Sequence, residues 1–385
     1  MVPDVLIVGA GLAGSSAAAH LCEIGTVMLL ERGANAGSEG AAQNAGLVRR
    51  MDAEPCDRAL AQRTHHFLAT TAIEWGHTDL STAPGAVLGL VRDPLWLNNA
   101  RAHLLSEGVR IHPIDAATVP LLTDSVVSHA WHLPDERVTD GPRLVSVLLQ
   151  RARSRGVHLR LNTPVERLLI ENGRCRGVQT NNGPLYAGNV VLAAGAWSGQ
   201  LAQQAGLVRP LTPLRRMAAI IDAPHPSEHP WCWLDDVGLY AKPHEGGWMV
   251  SPCDEHPTQP PASGSSTGIP SVHQQQLLEK KIQHLLPSLA HHPIRHSWTG
   301  LRTFAPDRRP LLGADGECEN LWWAAGLGGS GLSSSIGIGE ALLCWMNGKD
   351  TPWLDSTGLQ PNRVQLRKWP ILPNGDPQHA RLIST

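Results

Sequence analysis

The chain has 385 residues, 42% of them hydrophobic and 17% charged, and a formal net charge of -2. That length exceeds what one hydrophobic core usually serves and points to two domains, while the composition excludes a disordered or collagen-like chain. There is no strong positive field to hold nucleic acid or an anionic membrane surface.

Seven dispersed cysteines without a CxxC pair exclude a disulfide framework and fit a reducing compartment. Nineteen histidines include the pairs His65-His66 and His291-His292, but neither has partners at ligand spacing, so no metal site is expected. No basic n-region precedes Val5, and the longest uncharged stretch, Asn320 to Gly339, is too rich in Gly and Ser for a membrane span. These features predict a cytoplasmic protein with no transmembrane segment.

In chain order, Val5–Val8 reads as a buried parallel strand, Leu12 to Ile24 as an Ala-rich helix stopped by Gly25, and Val27–Leu30 as a second buried strand. Helical periodicity follows over Asp57 to Trp75 and Asp93 to Gly108. The Pro-punctuated stretch to Arg137 reads as irregular. A helix over Asp140 to Arg155 leads to short alternating strands over Val157 to Ala187, with a turn at Asn172-Gly173. Val190 to Ala193 is a buried strand. Met217 to Asp222, Gly238 to Lys242 and Trp248 to Ser251 form a second sheet, and Pro257 to Gly268 has the composition of a surface loop. A helix over Val272 to Leu286, strands over His296 to Phe304 and Leu321 to Ala325, and a helix over Leu332 to Met346 complete the pattern. The Pro-rich tail from Lys349 carries no functional signal.

Gly9, Gly11 and Gly14 form G-x-G-x-x-G between a strand and a helix. Gly9 permits the tight turn, Gly11 lets the backbone approach a pyrophosphate, and Gly14 allows close helix–strand packing. The helix start supplies bare N–H groups and a positive dipole end. Glu31 ends the second strand, where a carboxylate binds ribose hydroxyls and repels a 2′-phosphate. This unit binds a dinucleotide, and by itself it does not separate NAD from FAD.

Three further segments, Gly40 to Val48 (GAAQNAGLV), Val190 to Ser198 (VVLAAGAWS), and Trp298 to Gly313 followed by Leu321 to Glu340, resemble the FAD-dependent D-amino-acid oxidase/dehydrogenase superfamily. The resemblance spans about residues 4–347. Within that group, the segment Leu211 to Tyr240 and the C-terminal third look most like D-arginine dehydrogenase. It implies an α/β protein: a Rossmann-like FAD-binding domain of the GR2 type (1–78, 138–210 and 297–348), and a mostly antiparallel α+β substrate or cap domain (79–137 and 211–296). Residues 349–385 form a tail.

The resemblance also implies a set of cofactor residues: Arg32 beside Glu31, Ala42, Gln43, Asn44, Ala45, Gly46 and Leu47 along the flavin, then Val165, Ala194, Gly195 and Trp197. Gly328, Gly329, Ser330, Gly331 and Leu332 form a glycine-rich helix start, which is an anion site suited to the charge of a reduced flavin. Arg302 and Tyr240 match the family's carboxylate-binding pair, and Arg216 faces the same region. Relatives with a covalent flavin carry Cys or His where this chain has Gly300 and Gln43, which implies non-covalent FAD.

The implied reaction is oxidation of a small amino acid to the imino acid by hydride transfer to flavin N5. Dioxygen, a quinone or another carrier would be the electron acceptor, and the chain could sit in an oligomer. Alternatives are oxidation of a 2-hydroxy acid and a non-catalytic FAD-bearing subunit. The apolar stretch Thr82 to Leu90 is expected to border the substrate side chain. The segment Leu80 to Val91 contains no Asp or Glu, so neutral substrates are expected over arginine and lysine, unless Asp235 or Asp236 reaches the pocket.

Overall fold

A computed structural model describes residues 2–92, 95–226 and 228–363. A parallel sheet runs in the order Val27–Leu30, Val5–Val8, Asn189–Leu192, Leu321–Ala325, with His158–Arg160 added at one edge and an antiparallel strand, Leu311–Ala314, at the other. The first four strands are apolar runs, with nearly every residue fully buried, as a sheet covered on both faces requires. The helices Leu12–Leu21, Gly141–Ser154 and Ser335–Met346 pack on one face through Ala17, Leu148 and Ile336. An antiparallel meander, Val165–Glu171, Arg174–Thr180 and Gly183–Tyr186, packs on the other, and its first hairpin turns at Asn172-Gly173, both with positive φ.

The second body is a nine-stranded sheet, antiparallel except where Trp231–Leu234 runs parallel to Ala86–Leu90. The strand Ile294–Phe304 pairs with Thr212–Ile221 from Thr212↔Phe304 to Ile221↔Ile294, so residues 297–304 hydrogen-bond into this sheet rather than the parallel one. Period-two alternation sorts its side chains. Met217, Ala219, Leu239, Ala241 and Val250 pack against Leu278, Ile282 and Leu285 of the helix Val272–Leu285. The alternate residues Arg216, Tyr240 and Arg302 face the parallel-sheet body.

Several boundaries differ from those read in the sequence. The stretch before Arg137 contains strands His112–Ile114 and His129–Leu133, and Arg137–Thr139 is itself a strand; their partners are remote in sequence, which local composition does not reveal. The first helix ends at Leu21 and the third begins at Leu95, Asp93 and Pro94 lying outside the described residues. The last helix starts at Ser335 because turns occupy 331–334, so the glycine cluster does not open it directly. Tail residues from Leu354 to Leu359 pack on the parallel-sheet core, and those after 363 lie outside the described residues.

Candidate functional site

A cavity of about 570 Å³ lies between the two bodies, above the carboxyl ends of the parallel strands. Gly9 forms its floor with φ +100, and a side-chain carbon on Gly14 would stand 1.8 Å from the Gly9 carbonyl oxygen. Gly14 therefore backs the turn without lining the cavity. A side chain on Gly11 would meet nothing within 4 Å, so its backbone is open to a ligand. Glu31 is held by two backbone donors, Ala10 N to Oε2 and Gly33 N to Oε1, each at 2.9 Å.

Arg32 lies over the Trp197 ring, 3.7 Å from its centroid, and donates to the Gly264 carbonyl at 2.8 Å. Trp197 Nε1 donates to the Pro261 carbonyl at 2.9 Å, and Ser266 donates through both its backbone N–H and its hydroxyl to Glu39. The segment 257–268, read from composition as a surface loop, is thus a strap across the cavity mouth, with Ala262 and Ser266 in its wall. Ser266 and Thr267 bind Glu39 and Gln43, more than 220 positions away.

At the far end the strands of the large sheet present the remaining groups. Arg302 donates from Nη2 to the Gln43 carbonyl at 3.0 Å and from Nη1 to the Leu301 carbonyl at 3.0 Å. It pairs with no carboxylate among the described residues. Burial pulls its pKa down, and Tyr240 is the nearest group that opposes this. Burial likewise pushes the Tyr240 hydroxyl up, against the pull of Arg302, while its hydroxyl hydrogen-bonds the Ser251 side chain. Arg216 is engaged differently, with an ion pair to Glu255 at 2.8 Å and a bond to the Asp254 carbonyl.

Of the residues singled out in the sequence, Gly9, Gly11, Glu31, Arg32, Asn44, Ala45, Gly46, Leu47, Val165, Ala194, Gly195, Trp197, Arg216, Tyr240, Arg302, Gly328, Gly329, Gly331 and Leu332 line this one cavity. Gly14, Ala42, Gln43 and Ser330 do not. Ala42 is exposed, and Gln43 turns its amide to Thr267 Oγ1 at 2.6 Å. The backbone N–H of Ser330 is used by the Leu327 carbonyl. The N–H groups of Gly331 and Leu332 meet no acceptor among the described residues.

The stretch Thr82 to Leu90 does not border the site. Its strand, Ala86–Leu90, is fully buried between two others, with Val87 in one apolar core and Leu88 in another. The wall there is Trp233, which stacks on Tyr240 with centroids 5.8 Å apart and planes at 10°, and has the Arg49 guanidinium 4.0 Å from its ring centroid. Arg49 is in turn ion-paired with Asp52. Neither Trp233 nor Arg49 stood out in the sequence, although the Trp233↔Tyr240 hairpin register follows from the short Asp235 to Gly238 turn. Asp235 accepts from Trp233 Nε1 and Asp236 from the backbone of Val91 and Arg92, so neither lines the cavity.

Residues 4–345 match the family described as FAD-dependent oxidoreductase. The chain belongs to that family, and its cofactor is FAD. The cavity fits such a group: a glycine turn with an open approach at Gly11, a fixed carboxylate at Glu31, and unpaired N–H groups at Gly331 and Leu332.

The chain is 29% identical over 342 residues to the bifunctional protein ThiO/ThiG of Trichormus variabilis, matching 85% of this chain and 50% of that protein. It thus spans half or less of the first four curated relatives, which are longer proteins. It is 28% identical to glycine oxidase of Pseudomonas putida over 86% of this chain and 91% of that one. In fold it is similar to L-proline dehydrogenase from P. horikoshii, with a TM-score of 0.83 at 22% identity, over 94% of this chain and 98% of the other. Among the described residues no helix is long and apolar enough to cross a membrane.

Proposed function

We propose that this FAD enzyme oxidises a neutral amino acid, or a related amine-bearing acid, to the imino acid. One observation carries the reading: a desolvated guanidinium, Arg302, faces the cavity with no carboxylate partner among the described residues, beside Tyr240. A buried cation without a counter-ion is costly, and a substrate carboxylate relieves that cost through a forked contact. FAD supplies the hydride acceptor when bound.

The chain's own residues do the positioning. Arg302 and Tyr240 hold the carboxylate, Arg216 adds positive field, and Trp233 contributes apolar wall to the cavity. Glu31 takes the ribose hydroxyls, the Gly9 to Gly11 turn takes the pyrophosphate, and the Gly328 to Leu332 turns offer N–H groups to developing negative charge. Among the described residues no Lys or His lines the cavity, and two of its carboxylates, Glu31 and Glu39, are held by hydrogen bonds. That suits hydride loss from a neutral amine, which needs no protein base, better than oxidation of a hydroxy acid, which does. Relatives named for glycine and for L-proline support an amino acid. In this reading the parallel-sheet body (about 1–78, 138–210 and 305–348) carries FAD, and residues 79–137 and 211–304, which include the strand Ile294–Phe304 of the large sheet, form the substrate cap.

The test is an anaerobic screen of purified holoenzyme for loss of flavin absorbance. It would use glycine, leucine, methionine, proline, arginine and lysine in both chiralities, with 2-hydroxy acids beside them. Neutral amino acids are expected to bleach the flavin and to have the highest kcat/KM. Failure of every amino acid to bleach it, or a clear preference for arginine or lysine, overturns the reading.

A further inference from the structure

The sheet face that presents Arg216, Tyr240 and Arg302 continues past the first cavity. Two residues on from Tyr240 along its strand stands Lys242, then His244. On the same sheet, beyond the strands Gly247–Ser251 and Thr212–Ile221, Gly300, Trp298 and His296 follow Arg302 along the strand Ile294–Phe304 at the same alternation. The segment 38–46 lies across this face and divides it. A side-chain carbon on Gly300 would stand 2.6 Å from Gln43 Oε1, which is how closely the segment is pressed down. Beyond it opens a second cavity of about 690 Å³. Ser38, Ala41, Asn44, Ala45 and Gly46 face both cavities, so the partition is a single layer of backbone.

The second cavity has a definite chemistry. Lys242 is half-buried and makes no hydrogen bond or ion pair among the described residues, and a side-chain carbon on Gly46 would lie 3.6 Å from its Nζ. The acids nearby are committed: Asp140 caps the helix Gly141–Ser154 by accepting from Arg143 N, and Asp79 pairs with Arg143. Burial pulls the Lys242 ammonium down, with only Asp140 opposing it. Trp298, which lines the same cavity as Lys242, stacks on His296, centroids 5.5 Å apart and planes at 19°, and gives the cavity wall a flat apolar surface.

We propose that this second cavity seats the enzyme's electron acceptor, a planar quinone-like molecule bearing an anionic group, with the anion on Lys242 and the ring against Trp298. The proposal rests on FAD occupying the first cavity. In the step it serves, the quinone gains two electrons from the anionic reduced cofactor, with one proton released by that cofactor and one taken from solvent, and leaves as the hydroquinone, while the cofactor returns to its oxidised form. The single-layer partition keeps the two redox partners close without letting the acceptor displace the amino acid.

The experiment needs no amino-acid substrate. Holoenzyme is reduced with stoichiometric dithionite under nitrogen, then mixed by stopped flow with dichlorophenolindophenol, which is planar and anionic, or with uncharged duroquinone. Lys242→Met is expected to slow reoxidation by the anionic acceptor about 10- to 100-fold, the range for losing a charge-assisted contact, and to leave duroquinone little changed. Lys242→Arg should restore most of the rate. Calorimetric titration of oxidised holoenzyme with anthraquinone-2-sulfonate should show the same loss of affinity in Lys242→Met, a readout independent of turnover. Wild-type binding and reoxidation in Lys242→Met overturn the proposal. Equal slowing of both acceptors also overturns it, since that would make Lys242 a prop for the Ala45–Gly46 turn. Lost binding with unchanged rates would mean the cavity holds some ligand other than the acceptor. Failure of the flavin to bleach with any amino acid would sink the proposed substrate chemistry and leave this measurement untouched.

Discussion

Arg302 donates to the backbone carbonyl of Gln43, 3.0 Å away, and so ties the large sheet to the segment that lines the FAD cavity. Removing its side chain costs both this tie and the proposed carboxylate contact. Arg302→Ala should lose about 2–5 kcal/mol of transition-state stabilisation, roughly a 30- to 5000-fold fall in kcat/KM, with FAD retained. Arg302→Lys should recover only part, because an ammonium cannot fork. Steady-state kinetics on flavin-loaded protein decide the point, and a near-wild-type Arg302→Ala would reduce the arginine to a structural tie.

Glu31 is fixed by Ala10 N and Gly33 N, with lone pairs left for ribose hydroxyls. Glu31→Ala should weaken FAD binding by about 1.5–3 kcal/mol, the scale of hydrogen bonds to a charged group. Substrate preference of the loaded fraction should not move. Apoprotein reconstitution followed by flavin fluorescence measures this, and unchanged FAD affinity would place the ribose elsewhere.

By the family resemblance, Gly300 and Gln43 are expected where relatives with covalent flavin carry Cys or His. The Gln43 amide is turned away to Thr267 and the Gly300 site has no room for a side chain. Acid precipitation of the yellow protein should therefore release free FAD into the supernatant. Flavin retained in the pellet would contradict the non-covalent reading.

His65, on the helix Pro55–Ala69, bonds the Asp135 carbonyl at 2.8 Å, and burial with the nearby Arg50 lowers its pKa from 6.5 to about 4. Its folded pKa is depressed, so as pH falls below 6.5 the unfolded chain takes up a proton that the folded chain refuses. Stability is lost across that window down to about pH 4. The loss should reach about 2–3 kcal/mol, allowing for partial solvent exposure. His65→Gln should flatten the drop in urea midpoint between pH 7 and pH 4 measured by circular dichroism. A midpoint that falls as steeply in the variant would show that other groups govern acid sensitivity.

What the sequence determined by itself was local. Val5–Val8 and Val27–Leu30 are legible because a strand covered on both faces must be apolar throughout. Gly9 and Gly14 are legible because the turn leaves no room for a side chain at either position. The parity of Arg216, Tyr240 and Arg302 against Met217, Leu239 and Ala241 was present in the sequence too, yet alternation says only that two faces exist. Tertiary structure decided which face meets FAD, by docking the helix Val272–Leu285 on the other. It also buried Ala86–Leu90 inside the cap, and put Trp233 and Arg49 at the site instead. The strap over the cavity mouth was hidden for the same reason: Ser266 and Glu39 stand 227 positions apart, and no local pattern specifies a bond between them. Above all, that Arg302 meets no carboxylate among the described residues depends on all of those neighbours at once, and only the folded arrangement could decide it.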